Sequence, residues 1–292
     1  MIREKGNNMK KIEIAEEWLN HHLKLLRCPV CQAPFKEIND HQLQCINNHR
    51  LNINKHGYVY FLTRGVKSEY DQEMLAARRT LLNAGLFNGI LEEIALRMPD
   101  QPQTILDVGT GEGTPLAVLQ KIRNQPKDIY IGFDISRAGV QLATQLNPAL
   151  FFCLADLRQL PFANHSMDTI IELFSPSDYQ EFHRVLKPGG AIFKVIPTNQ
   201  YLHEMRQLLY PENDQHQQYD NSAVKELFFQ HYSHSTSINV RYQFNLPESL
   251  RAAMILMSPL HWGKNARKLA PHEVQKLSSV TVDVDLLIGY SN

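Results

Sequence analysis

From about residue 104 the chain alternates short apolar runs with stretches whose apolar positions recur at helical spacing. The runs are TILDVG (104–109), IYIGFD (129–134), LFFCLAD (150–156), MDTIIELF (167–174) and GAIFKVIP (190–197), with helices expected near 114–124, 137–146 and 178–186. Such alternation predicts an α/β fold built on a mostly parallel, doubly wound sheet. A helix near 199–210 follows, then a polar surface loop, PENDQHQQYDNSA, a helix near 222–230, a strand near 234–245, a helix near 247–256 and a last strand near 279–289. The two late strands, joined through a short helical segment, would close the sheet with one antiparallel member. Upstream, Ile12, Ile14, Trp18, Leu23 and Leu26 mark an amphipathic helix over 9–26, and residues 28–62 are short, turn-rich and strand-like. Residues 71–98 suggest two helices broken near Asn83 to Gly85. Three parts are expected: an N-terminal helix and small module over 1–64, a helical connector over 65–100, and a large domain over 101–292.

The 292 residues carry 30 Lys and Arg against 30 Asp and Glu, which excludes a wholly basic nucleic-acid binder. The balance is uneven along the chain: residues 1–68 hold 11 basic and 6 acidic side chains, whereas 101–200 and 201–292 each hold 8 and 9. No apolar run reaches the roughly 18 residues needed to span a bilayer, and the start MIREKGNNMKK lacks an apolar signal core. A cytoplasmic protein with no membrane partner is expected.

Three of the four cysteines fall in one short window. Cys28-x2-Cys31 and Cys45-x3-His49 supply three thiolates and an imidazole in two pairs, each able to grip one side of a tetrahedral ion. Soft sulfur with nitrogen favours Zn2+, and four protein ligands leave no open position, so the metal is expected to be structural. His41 lies in the same window and competes as fourth ligand. A segment this small should owe most of its folding free energy to the ion. Cys153, inside an apolar run, reads as a buried small hydrophobe.

Asp107-Val108-Gly109-Thr110-Gly111-Glu112-Gly113 follows a strand and opens a helix, where free amides meet polar ligand groups. The third glycine arrives one residue too early for the dinucleotide fingerprint, and Asp107 would repel a pyrophosphate. A cationic ligand fits better, and S-adenosylmethionine carries both a sulfonium and an ammonium. Asp134 ends the second strand, where a carboxylate can accept from both ribose hydroxyls. Asp156 and Leu157 end the third, with Leu160-Pro161-Phe162 as an apolar wall for an adenine. Each acid could instead be a helix N-cap. Together they resemble the Rossmann-like class I methyltransferase superfamily.

The combination of CPVCQAPF, CINNH, HGYVYFL, AARRTLLNAGLF, DVGTGEG and LFSPSDYQEFHRVLKPGG, spread over residues 28–190, resembles the ribosomal RNA large-subunit methyltransferase A family, and the resemblance covers essentially the whole chain from Cys28. The runs FSPSDYQEFHRVL and KVIPTNQYLHEMRQ are more similar to its Gram-positive branch, associated with tylosin resistance. The resemblance implies methylation of guanine N1 in hairpin 35 of 23S rRNA with S-adenosylmethionine, a zinc module that aids RNA recognition, and a homodimer. It implies Cys28, Cys31, Cys45 and His49 as zinc ligands. It adds Phe87, Pro115, Leu116 and Tyr201 to the cofactor positions Asp107, Gly109, Gly111, Asp134, Asp156 and Leu157. Thr110 departs from the usual Cys of the glycine turn, and Tyr201 stands where relatives carry His. Tyr58, Tyr60, Phe61 or Trp262 could stack on splayed bases, although packing explains each as well. Glu172 and Asp178 are near enough to the strand ends to take the N1 proton, but Asp178 also fits an N-cap, and no catalytic residue is assigned. A small-molecule methyltransferase and a non-catalytic rRNA-binding protein remain alternatives.

Overall fold

The computed structural model describes residues 9–65, 71–211, 220–263 and 265–291. Among these, the centre is an eight-stranded sheet whose middle runs in parallel. Strands β5 (Thr104–Val108), β6 (Ile129–Asp134), β7 (Leu150–Leu154), β8 (Met167–Leu173) and β9 (Leu186–Pro197) lie in the order β9-β8-β5-β6-β7. β5 and β7 are buried at every position, as expected for strands covered on both faces. Helices α4 (Thr114–Arg123), α5 (Arg137–Ala143) and α6 (Tyr179–Val185) alternate with them. β10 (Ser235–Asn245) and β11 (Ser279–Tyr290) complete one side. β11 inserts antiparallel between β10 and β9, so it is the reversed strand that the sequence pattern implied.

The helix expected near 199–210 is shorter, α7 (His203–Leu209), because Leu202 holds a left-handed backbone at φ 53° just before it. Helices α8 (Ser222–His231), α9 (Glu248–Leu256) and the single turn α10 (Pro271–Val274) follow in the C-terminal part. Most of the polar loop after Tyr210 lies outside the described residues.

The N-terminal part folds as α1 (Lys11–His22), a 3-10 turn (Leu23–Leu25) and a three-stranded sheet of β1 (Phe35–Asn39), β2 (Gln42–Cys45) and β3 (Arg50–Asn52). A fourth strand, β4 (Tyr58–Tyr60), leaves this small sheet and pairs in parallel with β7 as the edge of the large one. Trp18 of α1 stacks on Phe151 of β7, with ring centroids 4.3 Å apart and planes within 7°. Leu19, Leu26, Phe35, Leu43 and Val59 share one buried cluster with Phe133, Phe151 and Phe162. The small module thus has no separate core; it borrows the face of the large sheet, consistent with how little apolar surface so short a segment can bury alone.

The connector forms α2 (Gln72–Asn83) and α3 (Asn88–Arg97), broken where the sequence indicated. Asp71 caps α2 by accepting from the Met74 amide at 2.8 Å, and Met74, Leu75, Ala77, Leu81 and Leu82 line its buried stripe. This places Arg78 and Arg79 over the carboxyl ends of the strands.

Candidate active site and metal centre

Cys28, Cys31, Cys45 and His49 converge so that their four candidate ligand atoms lie within 4.8 Å of one another. The Cys31 and Cys45 sulfurs are 3.7 Å apart, and His49 Nδ1 lies 3.2 Å from the first and 3.5 Å from the second. Left-handed backbone at Gln32 and Asn48 turns each knuckle back on itself. Three thiolates and an imidazole at this spacing suit a tetrahedral zinc with no open position. His41 is not among them: its Nδ1 contacts the Glu16 carboxylate of α1. Cys153 is fully buried, and that burial pushes its thiol up, out of reach of thiolate chemistry.

At the carboxyl ends of the parallel strands lies a cavity of about 820 Å³. It sits where the strand order reverses, between β5 and β8, the usual ligand position in an open α/β sheet. Gly109 and Gly111 form one wall with positive φ of 67° and 57°. A Cβ on Gly109 would stand 2.9 Å from that of Ser175, so glycine is required there twice over. Arg79 braces the turn from α2, with its Nε 2.8 Å from a Glu112 carboxylate that is wholly buried and also accepts from the Thr114 hydroxyl.

The three strand-end acids differ in circumstance. Asp134 faces the cavity and accepts from the Gly111 amide at 2.8 Å and the Ser136 amide at 2.7 Å; burial raises its carboxyl above the ordinary range against those bonds. Asp107 lies behind the turn and accepts from the Thr110 hydroxyl at 2.6 Å; burial pushes its carboxyl to about 7, with the Asp134 charge adding to the rise. Asp156 and Leu157 line the cavity rim, where Arg158 forks onto the Asp156 carboxylate at 2.7 and 3.1 Å and holds it low.

Sequence reasoning missed several cavity residues. Arg78 projects from α2, with its guanidinium 5.7 Å over the Phe87 ring, and Arg206 of α7 is buried in the wall. Met257 to Leu260, following α9, complete the lining. Phe174 to Ser177, which the sequence pattern does put at a strand's carboxyl end, also line it, and Phe174 and Leu202 do so with left-handed backbone, a cost expected to persist only where the surroundings enforce it.

A family model described as RlmA, N-terminal, matches residues 26–67, and one described as Methyltransferase domain matches residues 105–190. The Bacillus subtilis (strain 168) protein YxjB, whose name assigns it provisionally to the 23S rRNA (guanine-N(1)-)-methyltransferases, is 34% identical over 274 residues, covering 91% of this chain and 96% of its own. The chain belongs to this methyltransferase family. The Streptomyces fradiae 23S rRNA (guanine(748)-N(1))-methyltransferase is 26% identical, covering 91% of this chain and 96% of its own. A Micromonospora griseorubida relative is 27% identical, covering 88% and 93%. The zinc ribbon and the S-adenosylmethionine-dependent core are thus features of one enzyme family, and the four-ligand cluster and the cavity are their counterparts in this chain.

The positions that the family resemblance placed at the cofactor are distributed in two layers. Gly109, Gly111, Asp134, Asp156, Leu157 and Tyr201 line the cavity directly. Phe87, Asp107, Pro115 and Leu116 are buried behind it. Phe87 touches Phe174 with ring centroids 5.4 Å apart, and Phe174 in turn touches Tyr201 at 5.1 Å, so Phe87 supports the aromatic wall rather than forming its surface. Thr110, in the glycine turn, donates its hydroxyl to the Asp107 carboxylate. Of the aromatic residues considered for base stacking, Tyr58 and Phe61 are buried, whereas Tyr60 and Trp262 are exposed at 42% and 41%.

Proposed function

We propose that the chain methylates N1 of a guanine in hairpin 35 of 23S rRNA, with the zinc module contributing to RNA recognition and with two copies associating as a homodimer. The observation that carries the reading is the continuous sheet that joins a zinc ribbon to a methyltransferase cavity, in a chain that matches rRNA guanine-N1 methyltransferases over nine-tenths of its length. A small-molecule methyltransferase has no use for the ribbon.

S-adenosylmethionine supplies the methyl group as a sulfonium. Within the cavity Asp134, oriented by the Gly111 and Ser136 amides, keeps acceptor capacity for the ribose hydroxyls. Leu157 and Asp156 suit the adenine. Arg158 shares the Asp156 carboxylate, which keeps lone pairs for that contact, and the arginine side chain, 79% exposed, has little packing to hold it. Gly109 and Gly111 face the amino-acid end, and Arg78 offers a guanidinium for its carboxylate. The Phe174 and Tyr201 rings and the segment from Ser175 to Asp178 wall the side where an extruded guanine would enter. Extrusion costs roughly a few kcal/mol, and less from a loop than from a stem. Tyr60 and Trp262 carry enough exposed ring surface to stack on splayed bases.

Among the described residues no helix is long and apolar enough to cross a membrane, and a ribosomal substrate supports a cytoplasmic location. Labelled methyl transfer from S-adenosylmethionine to unmodified 23S rRNA, run beside small-molecule acceptors, tests the reading: incorporation into the rRNA supports it, and incorporation only into small acceptors refutes it.

A further inference from the structure

Beneath the segment that walls the guanine side of the cavity, Glu172 of β8 and Lys194 of β9 face each other across neighbouring strands, their side chains 0% and 4% exposed. Neither lines the cavity. Ser177 does, and its hydroxyl lies 2.9 and 3.1 Å from the two Glu172 carboxylate oxygens and 2.8 Å from Lys194 Nζ. Lys194 also donates to the Ser175 carbonyl at 3.2 Å, which fixes the segment's backbone. Asp178, the acid within the segment, also lines the cavity, but one of its oxygens caps α6 by accepting from the Glu181 amide at 3.0 Å. The groups that set the field at Glu172 are Lys194, the Ser177 hydroxyl, and the phenols of Tyr179 and Tyr232 from the packed helical side.

We infer that Ser177 and Glu172 form the proton exit of the methyl transfer, with the Ser177 hydroxyl as the link between the substrate base and a carboxylate sealed from water. The inference rests on the guanine-N1 reading above. N1 of guanine carries a proton that the methylated product must lose. As the N1–carbon bond forms, the N1 proton passes to Ser177 Oγ, and the hydroxyl's own proton passes to a Glu172 oxygen. The electron pair of the broken N1–H bond stays on the base. Transfer removes the sulfonium's positive charge from the cavity and frees one proton, so protonating Glu172 leaves the total charge of the site unchanged. Lys194 supports the arrangement as a positioning residue: it orients the hydroxyl so that its proton points at Glu172. Burial holds the Glu172 carboxyl at about 7, against the pull of Lys194, and this is the range in which a general base is most useful at neutral pH.

Single-turnover methyl transfer to unmodified 23S rRNA, followed from pH 5.5 to 9 with S-adenosylmethionine affinity measured in parallel, tests the relay. Wild type should gain rate with pH and level off above the Glu172 titration. Glu172→Gln should lose about 100-fold or more and lose the plateau, with cofactor affinity within about twofold. Ser177→Ala keeps the buried pair and should lose rate similarly, while Ser177→Thr, which restores a hydroxyl, should recover most of it. If Ser177→Ala keeps both the wild-type rate and the wild-type pH profile, or if Glu172→Gln slows the reaction without changing the profile, the relay is overturned. A wild-type protein that binds S-adenosylmethionine and modifies no guanine N1 in 23S rRNA would instead overturn the function on which the relay depends.

Discussion

Val59 lies in parallel register beside Cys153, which makes the last strand of the zinc-bearing segment an edge strand of the methyltransferase sheet. Metal loss should therefore be felt in both. Chelation, or Cys45→Ser, is expected to lower the thermal midpoint of the whole protein. It should also release amide exchange protection in Tyr58–Tyr60 and along Leu150–Leu154 before β5 and β8 respond. Zinc content and hydrogen exchange on the same samples check this. Stoichiometric zinc in both Cys28→Ser and Cys45→Ser would remove the ligand assignment.

Asp107 is expected to link cofactor affinity to pH. Its carboxyl titrates at about 7 in the folded protein, well above an unfolded Asp, so its contribution to stability is complete in acid and is lost as pH rises towards and through 7. Above that point the folded protein carries a buried charge, and a cationic ligand is what relieves it. S-adenosylmethionine should bind more tightly as pH rises from 6 to 7.5, with proton release at pH 7. Asp107→Asn, which still accepts the Thr110 hydroxyl, should flatten that dependence and raise stability at pH 8. Calorimetry in buffers of different ionisation enthalpy reads the proton directly, and identical pH profiles for the two proteins would contradict the linkage.

The glycine turn depends on Arg79, because Glu112 beneath it is entirely buried. Removing the guanidinium strands that carboxylate. Arg79→Met is expected to cost about 3–5 kcal/mol of stability and to weaken cofactor binding through the displaced turn. Paired substitution with Glu112→Gln should recover much of the stability, which denaturant titration of both variants would show.

Much of this site is legible in the amino-acid sequence alone, and the boundary of legibility has a physical cause. Asp134 and Asp156 announce themselves because strands end there and the chain turns, and the four zinc ligands because a tetrahedral knot needs two tight pairs. Arg78 is hidden within a helix-patterned run, since its place over the cavity depends on how α2 packs on the distant sheet. Lys194 stands inside an apolar strand whose partner, Glu172, lies 22 residues earlier in the chain. The pairing of β4 with β7 is equally obscure, because a three-residue strand such as Tyr58–Tyr60 fits either sheet by pattern alone. Phe87, Asp107, Pro115 and Leu116 are the converse case: a motif brings them to the site without saying which of its two layers they occupy.

RNA binding should be electrostatic in part and local to the zinc-bearing segment, where Lys36, Arg50 and Lys55 are exposed. Affinity for a 23S rRNA fragment should fall linearly with log salt. Replacing Arg50 with Gln should reduce the slope by roughly 0.7 to 0.9 if it meets a phosphate. An unchanged slope in the triple Lys36, Arg50 and Lys55 substitution would move the RNA surface elsewhere.

The central claim is best tested by mapping the product. Unmodified 23S rRNA is incubated with the purified protein and S-adenosylmethionine, and reverse transcription is then read for stops, because a methyl group on N1 blocks pairing. One new stop is expected at a guanine in hairpin 35, absent without S-adenosylmethionine and absent with a variant that cannot bind it. Methyl incorporation with no stop, or a stop outside that hairpin, would contradict it.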